Sequence, residues 1–214
     1  LIVVASFGII LPQSVLDIPE YSCLNLHPSL LPQYRGPTPI PAAILAGDEV
    51  TGTTVMVIEK RVDSGPILAQ RAVPVVSSDT TQWLTEKLAQ ASADLLMETL
   101  PGWLSHSITP RPQRHEDATY TKMLNKTDGD LDWTLPAVEL WRKVRAYYPW
   151  PTGYTSWRGK AIRVLEALPQ SGQLGVPGRV LDMGVGAVGI QTGDGVLKLA
   201  KVQLEGKKEM EIEA

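Results

Sequence analysis

Three polar side chains at alternate positions form the part of this sequence best suited to chemistry. Asn25, His27 and Ser29 are separated by single residues, and alternate residues of an extended chain point to the same side. A histidine imidazole exchanges protons near neutral pH. An adjacent amide can donate a hydrogen bond to an oxygen that becomes negatively charged during acyl transfer. The spacing therefore favours a proton-transferring group and an oxyanion donor on one face.

Asp63 follows in a short glycine-containing loop and could complete this group. Its carboxylate could pair with His27, raise the pKa of the imidazole and fix its orientation. Taken singly, these residues have simpler interpretations. A histidine at a strand end is more often hydrogen-bonded for structural reasons, and Asp-Ser-Gly is commonly only a turn. The residue types alone give a weak signal, and the surrounding sequence has to decide.

The first half of the chain alternates strands and helices, which is typical of an α/β layer with a parallel sheet. β-Branched runs predict strands, and amphipathic or proline-initiated stretches predict helices. The predicted strands are 1–6, 23–26, 51–58 and 67–76, and the predicted helices are a short one ending near 16, then 39–46 and 80–104. The second strand ends at His27. Its polar side chains are thus expected at the carboxyl end of a strand, where α/β sheets bind ligands.

The second half of the chain has a different pattern, beginning after the polar, proline-bearing connector 110–116. Short strands separated by glycine turns are typical of a small OB-like β-barrel. The predicted elements are a helix at 136–147 and strands at 154–158, 161–167, 178–182, 187–192 and 196–202. We therefore predict two domains, an α/β domain over residues 1–109 and an OB-like domain over residues 110–214.

The composition excludes several classes of protein. Hydrophobic residues make up 43% and charged residues 20% of the chain, as in globular proteins, and no apolar run is long enough to span a membrane. Cys23 is the only cysteine, which excludes an internal disulfide and a multi-cysteine metal site. With only three histidines, no metal is expected. These features favour a reducing, cytoplasmic-type compartment.

Charge is distributed unevenly between the halves. Residues 1–103 hold five basic and ten acidic residues, whereas residues 104–214 hold fifteen and thirteen. The second half is therefore the part of the chain better suited to face phosphates.

Four blocks around the polar residues resemble the formyltetrahydrofolate-using formyltransferase family. They are Phe7–Pro12, Asn25–Pro32 with Tyr34-Arg35-Gly36 after it, Gly52–Val55 and Asp63–Leu68. The blocks follow the family's order and spacing. The resemblance implies an α/β fold that represents the C-terminal half of a Rossmann-like formyltransferase domain. Phe7, where the family often has Tyr, and Pro66, in place of an acidic residue, depart from the pattern.

The resemblance also implies roles for individual residues. Asn25, His27 and Asp63 match the family's catalytic residues. The co-substrate implied is 10-formyltetrahydrofolate, without a metal. The residues that match folate-contacting segments are Ile9, Ile10, Leu11, Ser29, Leu30, Leu31 and Pro32.

Motifs in the second half resemble those family members that carry a C-terminal domain. They include Asp132-Trp133, Pro149-Trp150-Pro151, Thr192–Gly195 and a block from Gln203 to Met210. The last block resembles the tRNA-acting members. Its Lys207 and Lys208, together with Arg35, are therefore expected to bind tRNA, the lysines by meeting backbone phosphates. A solvated turn is the simpler interpretation of the lysine pair.

The activity implied is transfer of the formyl group of 10-formyltetrahydrofolate to the amino group of initiator methionyl-tRNA, for translation initiation. We expect a monomeric cytoplasmic enzyme, or an organellar one in a eukaryote, with no membrane partner. Three alternatives remain open: formyl transfer to a sugar nucleotide, a hydrolase or dehydrogenase domain that uses the same formyl donor, and an inactive RNA-binding fragment. Because the chain starts without Met in the apolar run Leu1–Ser6, we expect a catalytic domain truncated at its N-terminus.

Overall fold

The structure is a computed structural model that describes residues 1–172 and 175–212. Contacts between residues divide the chain into two compact units. The first unit takes in most of residues 1–123, and the second takes in residues from 124 onward together with 44–47 and 80–82. None of the helices in the described ranges is both long and apolar enough to cross a membrane.

The helices and strands up to residue 104 follow the order that the sequence predicts, with two strands in succession before the last helix. The elements are β1 (Ile2–Ala5), α1 (Gln13–Leu16), β2 (Cys23–His27), α2 (Pro39–Ala46), β3 (Val50–Val57), β4 (Ile67–Pro74) and α3 (Thr81–Leu104). The helix predicted at 39–46 is confirmed at both ends, and the other strands and helices begin and end within two residues of the predicted positions.

The sheet of the first unit has the strand order β1-β2-β3-β4, and it is only partly parallel. β1 runs parallel to β2, but β3 is antiparallel to both β2 and β4. The prediction of a parallel sheet is therefore correct for one strand pair and wrong for the other two. The loop between β3 and β4 holds only residues 58–66, which is too short for the crossover that a parallel pair needs.

Helix α3 covers one face of this sheet. Leu84 and Leu88 are buried at helical spacing, and Leu95 packs against Leu24 of β2 and Val55 of β3. Burying one leucine side chain contributes about 1.5–3 kcal/mol. The packing anchors β2, the strand that carries Asn25 and His27.

The second unit is built on antiparallel strands. Its elements are α4 (Ala137–Ala146), β5 (Gly153–Trp157), β6 (Lys160–Gln170), β7 (Val180–Asp182), β8 (Val188–Gln191), β9 (Val196–Leu204) and β10 (Glu209–Glu211). The strand order is β5-β6-β9-β8-β7, with β10 also paired to β9. Register shifts between Val164 and Ala167 interrupt the ladder of β6, and such bulges bend a strand. Leu140 and Val144 of α4 are buried in the core of this unit.

The predicted helix and short strands of the second half are confirmed, but the closed barrel is not. Among residues 124–172 and 175–212, no strand pairing joins β5 to β7 or to β10. The part of the prediction that stands is therefore an all-antiparallel β unit with one packed helix.

The end of the first unit lies later than the sequence predicts. Arg111 and Ile67 exchange two backbone hydrogen bonds of 2.9 and 2.8 Å, and Met123 is the last residue of the first unit. Pro110 and Pro112 lack backbone N–H groups, so the segment looks like a free connector in the sequence. The structure nevertheless pairs it with the first unit, and the observed boundary is at residues 123–124 rather than at 110–116.

Candidate active site

Three polar side chains lie where β2 ends. Asn25 and His27 are the third and fifth residues of the strand, and Ser29 lies in the turn that follows. The His27 and Ser29 residues are 4% and 0% exposed, whereas Asn25 is half-buried. The Ser29 hydroxyl donates a hydrogen bond of 2.6 Å to the carbonyl oxygen of Gln33, which tightens the turn.

The Asp63 carboxylate joins this group from the loop between β3 and β4. Its Oδ1 accepts a hydrogen bond from Asn25 Nδ2 at 3.3 Å, and its Oδ2 accepts one from the backbone N–H of Gly36 at 2.8 Å. The Oδ2 atom also lies 3.6 Å from His27 Nδ1. The structure thus brings together Asn25, His27 and Asp63, the three residues predicted to be catalytic.

The orientation of the His27 ring is set by a backbone carbonyl. Its Nε2 lies 3.0 Å from the carbonyl oxygen of Tyr34, and because a carbonyl only accepts hydrogen bonds, Nε2 carries the hydrogen. Nδ1 then faces Asp63.

The charge of His27 differs from the expectation based on sequence. Burial lowers its pKa below the ordinary value, and the opposing contributions of Asp63 and of the Tyr34 carbonyl are smaller. Desolvation disfavours the charged imidazolium. Asp63 therefore acts on the pKa in the predicted direction, but the net shift is downward, and His27 is mostly neutral at pH 7.

Two residues of the site adopt the left-handed backbone conformation. Tyr34 has φ +59° and Asp63 has φ +48°, and neither is glycine. Residues other than glycine adopt this conformation at a cost of about 1–3 kcal/mol, and they concentrate at functional sites. Here the two strained residues supply the carbonyl that holds His27 and the carboxylate that faces it.

The loop after His27 is fixed by hydrogen bonds from the neighbouring strands. Leu31 is buried against Met56 and Ile67. Its N–H donates to Thr54 Oγ1 at 3.2 Å, and its carbonyl oxygen accepts from Gln70 Nε2 at 2.8 Å. Leu31 thus supports the loop from inside, while Leu30 and Pro32 are half-buried and present part of their surface.

The segment after β1 exposes apolar side chains. Phe7, Ile9 and Ile10 are 55%, 71% and 72% exposed, and Leu11 is half-buried. Exposed apolar residues that are contiguous in the chain are more informative than single ones, because such patches often mark binding surfaces.

The three basic residues predicted to bind tRNA lie in different surroundings. Lys207 and Lys208 are exposed in the turn between β9 and β10. Arg35 is only 1% exposed, and its guanidinium donates to the side chains of Gln113 and Tyr120. Arg35 is therefore held inside the first unit in this structure, where a phosphate could not reach it without displacing these partners.

Sequence reasoning did not identify three supporting residues, Thr54, Gln70 and Gln113. Thr54 lies in the Gly52–Val55 block, but that block does not indicate what its hydroxyl contacts. Gln70 and Gln113 are common polar residues outside the four blocks, and nothing in their immediate sequence indicates their contacts. Within the described ranges, no group of three or more His, Cys, Asp or Glu side chains is placed to hold a metal ion.

Comparison with known proteins identifies the family. The formyl transferase family matches residues 1–100, and the family's C-terminal domain matches residues 123–214. A methionyl-tRNA formyltransferase of Chloroflexus aurantiacus is 48% identical over 210 residues, which are 97% of this chain and 68% of that protein. The chain belongs to the formyl transferase family. A methionyl-tRNA formyltransferase of Roseiflexus castenholzii is also 48% identical, over 96% of this chain and 66% of its own length. The chain thus spans about two thirds of the length of these curated relatives.

Solved structures support the fold of this family member. HypX from Aquifex aeolicus, in complex with tetrahydrofolic acid, matches with a TM-score of 0.74 and 22% identity, over 98% of this chain and 37% of HypX. The sugar 3N-formyl transferase WlaRD matches with a TM-score of 0.72 and 18% identity, over 96% of this chain and 73% of WlaRD. At these identities the likeness concerns the fold alone.

Proposed function

We propose that this formyl transferase uses 10-formyltetrahydrofolate to formylate the amino group of methionine carried by initiator tRNA. The observation that carries the proposal is the convergence of Asn25, His27 and Asp63 at the end of β2. The relatives named above support the choice of acceptor, because proteins of that name are similar along nearly the whole chain. They are bacterial proteins, and we propose the cytoplasm as the compartment and a monomer as the active form.

The residues of the first unit fit a reduced folate as co-substrate. A pterin needs an apolar wall and a few polar groups that orient it. Ile9 and Ile10 offer exposed apolar surface, with Leu11 beside them. Leu30 and Pro32 are accessible in part, while Ser29 and Leu31 keep their loop in shape through buried contacts. We propose that these residues hold the folate.

In the proposed mechanism, His27 starts as the neutral base. The amine nitrogen attacks the formyl carbon, a carbon–nitrogen bond forms, and the electron pair of the carbonyl moves to oxygen. Asn25 donates one amide hydrogen to Asp63 and has a second one for this oxyanion. His27 takes the proton that the amine loses, through Nδ1, and Asp63 stabilises the imidazolium that results.

Collapse of the intermediate removes the negative charge of the oxyanion and the positive charge of the His27 imidazolium. The oxyanion electrons restore the carbonyl, the bond between the formyl carbon and the folate nitrogen breaks, and His27 gives its proton to that nitrogen. A histidine with a lowered pKa suits this cycle, because it must be neutral before each turnover and a good proton donor once charged.

We propose that the second unit binds the tRNA. Lys207 and Lys208 lie exposed at the turn between β9 and β10, where flexible cations can approach phosphates. The bent, bulged strand β6 is compatible with an OB-like barrel, and we keep that architecture as part of the proposal. For Arg35 we propose a supporting role instead of direct contact with tRNA, since it is enclosed by protein.

The proposal is tested by assaying the full-length protein with 10-formyltetrahydrofolate and initiator methionyl-tRNA. We expect formylmethionyl-tRNA as product. The Asn25→Ala variant should lose about 10²- to 10³-fold in kcat, the usual effect of removing an oxyanion donor. The control is Gln90→Ala, which removes an exposed amide of α3 that donates to Asp94 in the same helix.

Other products would overturn the proposed function. Formate released without tRNA would indicate a hydrolase, and formylation of an amino-sugar nucleotide would indicate a sugar transferase. Binding of tRNA with neither folate binding nor turnover would indicate an RNA-binding protein. Full activity of Asn25→Ala would overturn the assignment of the site.

A further inference from the structure

The linker segment (residues 111–121) lies against the loops that form the candidate site. The carbonyl oxygen of Thr119 accepts a hydrogen bond from the backbone N–H of Arg35 at 2.9 Å. The backbone N–H of Thr121 donates one to the carbonyl oxygen of Arg35 at 2.8 Å. The Thr119 side chain also accepts from the N–H of Tyr34 at 2.7 Å. The segment therefore pairs with the same stretch of chain that holds His27.

Gln113 is the residue of the linker segment that reaches Asp63. Its Nε2 donates to the carbonyl oxygens of Asp63 and Gly65, at 3.0 and 2.7 Å. Its Oε1 accepts from Arg35 Nε at 3.1 Å and from one terminal guanidinium nitrogen at 2.6 Å. Gln113 is 7% exposed, so one buried amide spans the Asp63 turn and the guanidinium.

This arrangement fixes which way the amide faces. Backbone carbonyls only accept hydrogen bonds and a guanidinium only donates them, so a rotated Gln113 amide would lose all four contacts. The guanidinium of Arg35 also donates to the hydroxyl of Tyr120 at 3.3 Å and lies 3.2 Å from Nδ1 of His115. Arg35 and Gln113 are both buried, and a buried pair held by several hydrogen bonds is rigid.

The network acts on the Asp63 carboxylate from two sides. Gln113 holds the main chain of Asp63, whose left-handed conformation needs support from its surroundings. It also holds the side chain of Arg35, and the next residue, Gly36, donates its N–H to Asp63 Oδ2. The carboxylate and its backbone donor are thus aligned through the same amide.

We propose that Gln113 is a positioning residue that holds Asp63 against His27 and Asn25. The inference rests on the proposed function, since it assigns a role in that reaction to a residue outside the catalytic group. A carboxylate that moves by about 1 Å can cost up to 10²-fold in rate. Losing the Gln113 contacts should therefore reduce kcat without removing any group that touches the substrates.

The test compares Gln113→Ala and Gln113→Glu with the wild type in the full-length protein. Glutamate keeps an oxygen for Arg35, so the variant should fold, but its second oxygen faces the carbonyls of Asp63 and Gly65 without a hydrogen to donate. We expect kcat to fall about tenfold or more in both variants, with KM for 10-formyltetrahydrofolate and for tRNA within about twofold of the wild type.

The pH profile separates positioning from mere stability. Asp63 raises the pKa of His27, so a displaced carboxylate should move the acidic limb of the kcat profile to lower pH. Thermal unfolding and Gln90→Ala serve as controls. A Gln113 variant that unfolds at lower temperature but keeps the wild-type kcat and pH profile would overturn the inference. If the wild type itself makes no formylmethionyl-tRNA, the proposed function fails instead.

Discussion

The substitution Thr54→Val tests how the loop beside the candidate site is held. The Thr54 hydroxyl donates to the Ser29 carbonyl at 2.7 Å, and it accepts from the Leu31 N–H at 3.2 Å and from Gln70 Nε2 at 3.0 Å. The residue is fully buried. Valine has nearly the same shape without the hydroxyl, so the substitution removes three hydrogen bonds and changes the packing little.

The expected loss of stability follows from the groups left behind. The Ser29 carbonyl and the Leu31 N–H lose a buried partner, at about 1–3 kcal/mol each. Gln70 is less affected because it still donates to the Leu31 carbonyl at 2.8 Å. The added methyl group returns about 0.8 kcal/mol. We therefore expect the free energy of unfolding to fall by about 3 kcal/mol.

Urea unfolding of the full-length protein measures this difference, and the adjacent threonine supplies the control. Thr53 is also fully buried, and its hydroxyl pairs with Ser92 Oγ at 2.6 Å. Thr53→Val removes this one hydrogen bond and should cost about 1 kcal/mol. If Thr54→Val were no more destabilising than Thr53→Val, the hydroxyl of Thr54 would not be what holds the loop.

Two further predictions concern charge. The free energy of unfolding should decrease as the pH falls below 6.5, because the unfolded chain then binds a proton at His27 that the folded protein, with its lowered pKa, still excludes. Urea titrations at each pH should show a smaller decrease for a His27→Gln variant, and an equal decrease would contradict the lowered pKa. Replacing Lys207 and Lys208 by Ala should weaken tRNA binding, and it should reduce the slope of the log of the tRNA binding constant against the log of salt concentration by up to about 2, with KM for folate unchanged. An unchanged slope in filter binding would exclude phosphate contacts by these lysines.

Local signals in the sequence were sufficient to predict most elements. Helix α2 could be bounded because Pro39 and Pro41 suit its first turn and Gly47 its end. Strand β10 could not be predicted, because Glu209–Glu211 consists of two charged residues on either side of one methionine. Backbone pairing with β9 and the ion pair between Lys201 and Glu209, at 3.1 Å, define that strand, and both depend on residues that the local sequence does not connect.

Neither the direction of strand β3 nor the net pKa shift of His27 could be predicted from the sequence, for a related reason. Continuous apolar and β-branched residues indicate that a strand is buried, but they do not state whether its neighbour runs parallel. A carboxylate near His27 suggested a raised pKa, whereas the actual shift is set by how completely other elements enclose the ring. Burial is a property of the assembled fold, and so the stronger contribution to the pKa could be seen only in the structure.

The role inferred for Gln113 has the same origin. It lies 50 residues after Asp63 and 78 after Arg35 in the chain, yet it donates to the main chain of one and accepts from the side chain of the other. The left-handed conformation of Asp63 is strained, and contacts from outside its own loop help to offset that strain. The linker segment supplies such contacts, so the position of the Asp63 carboxylate depends on residues that follow helix α3.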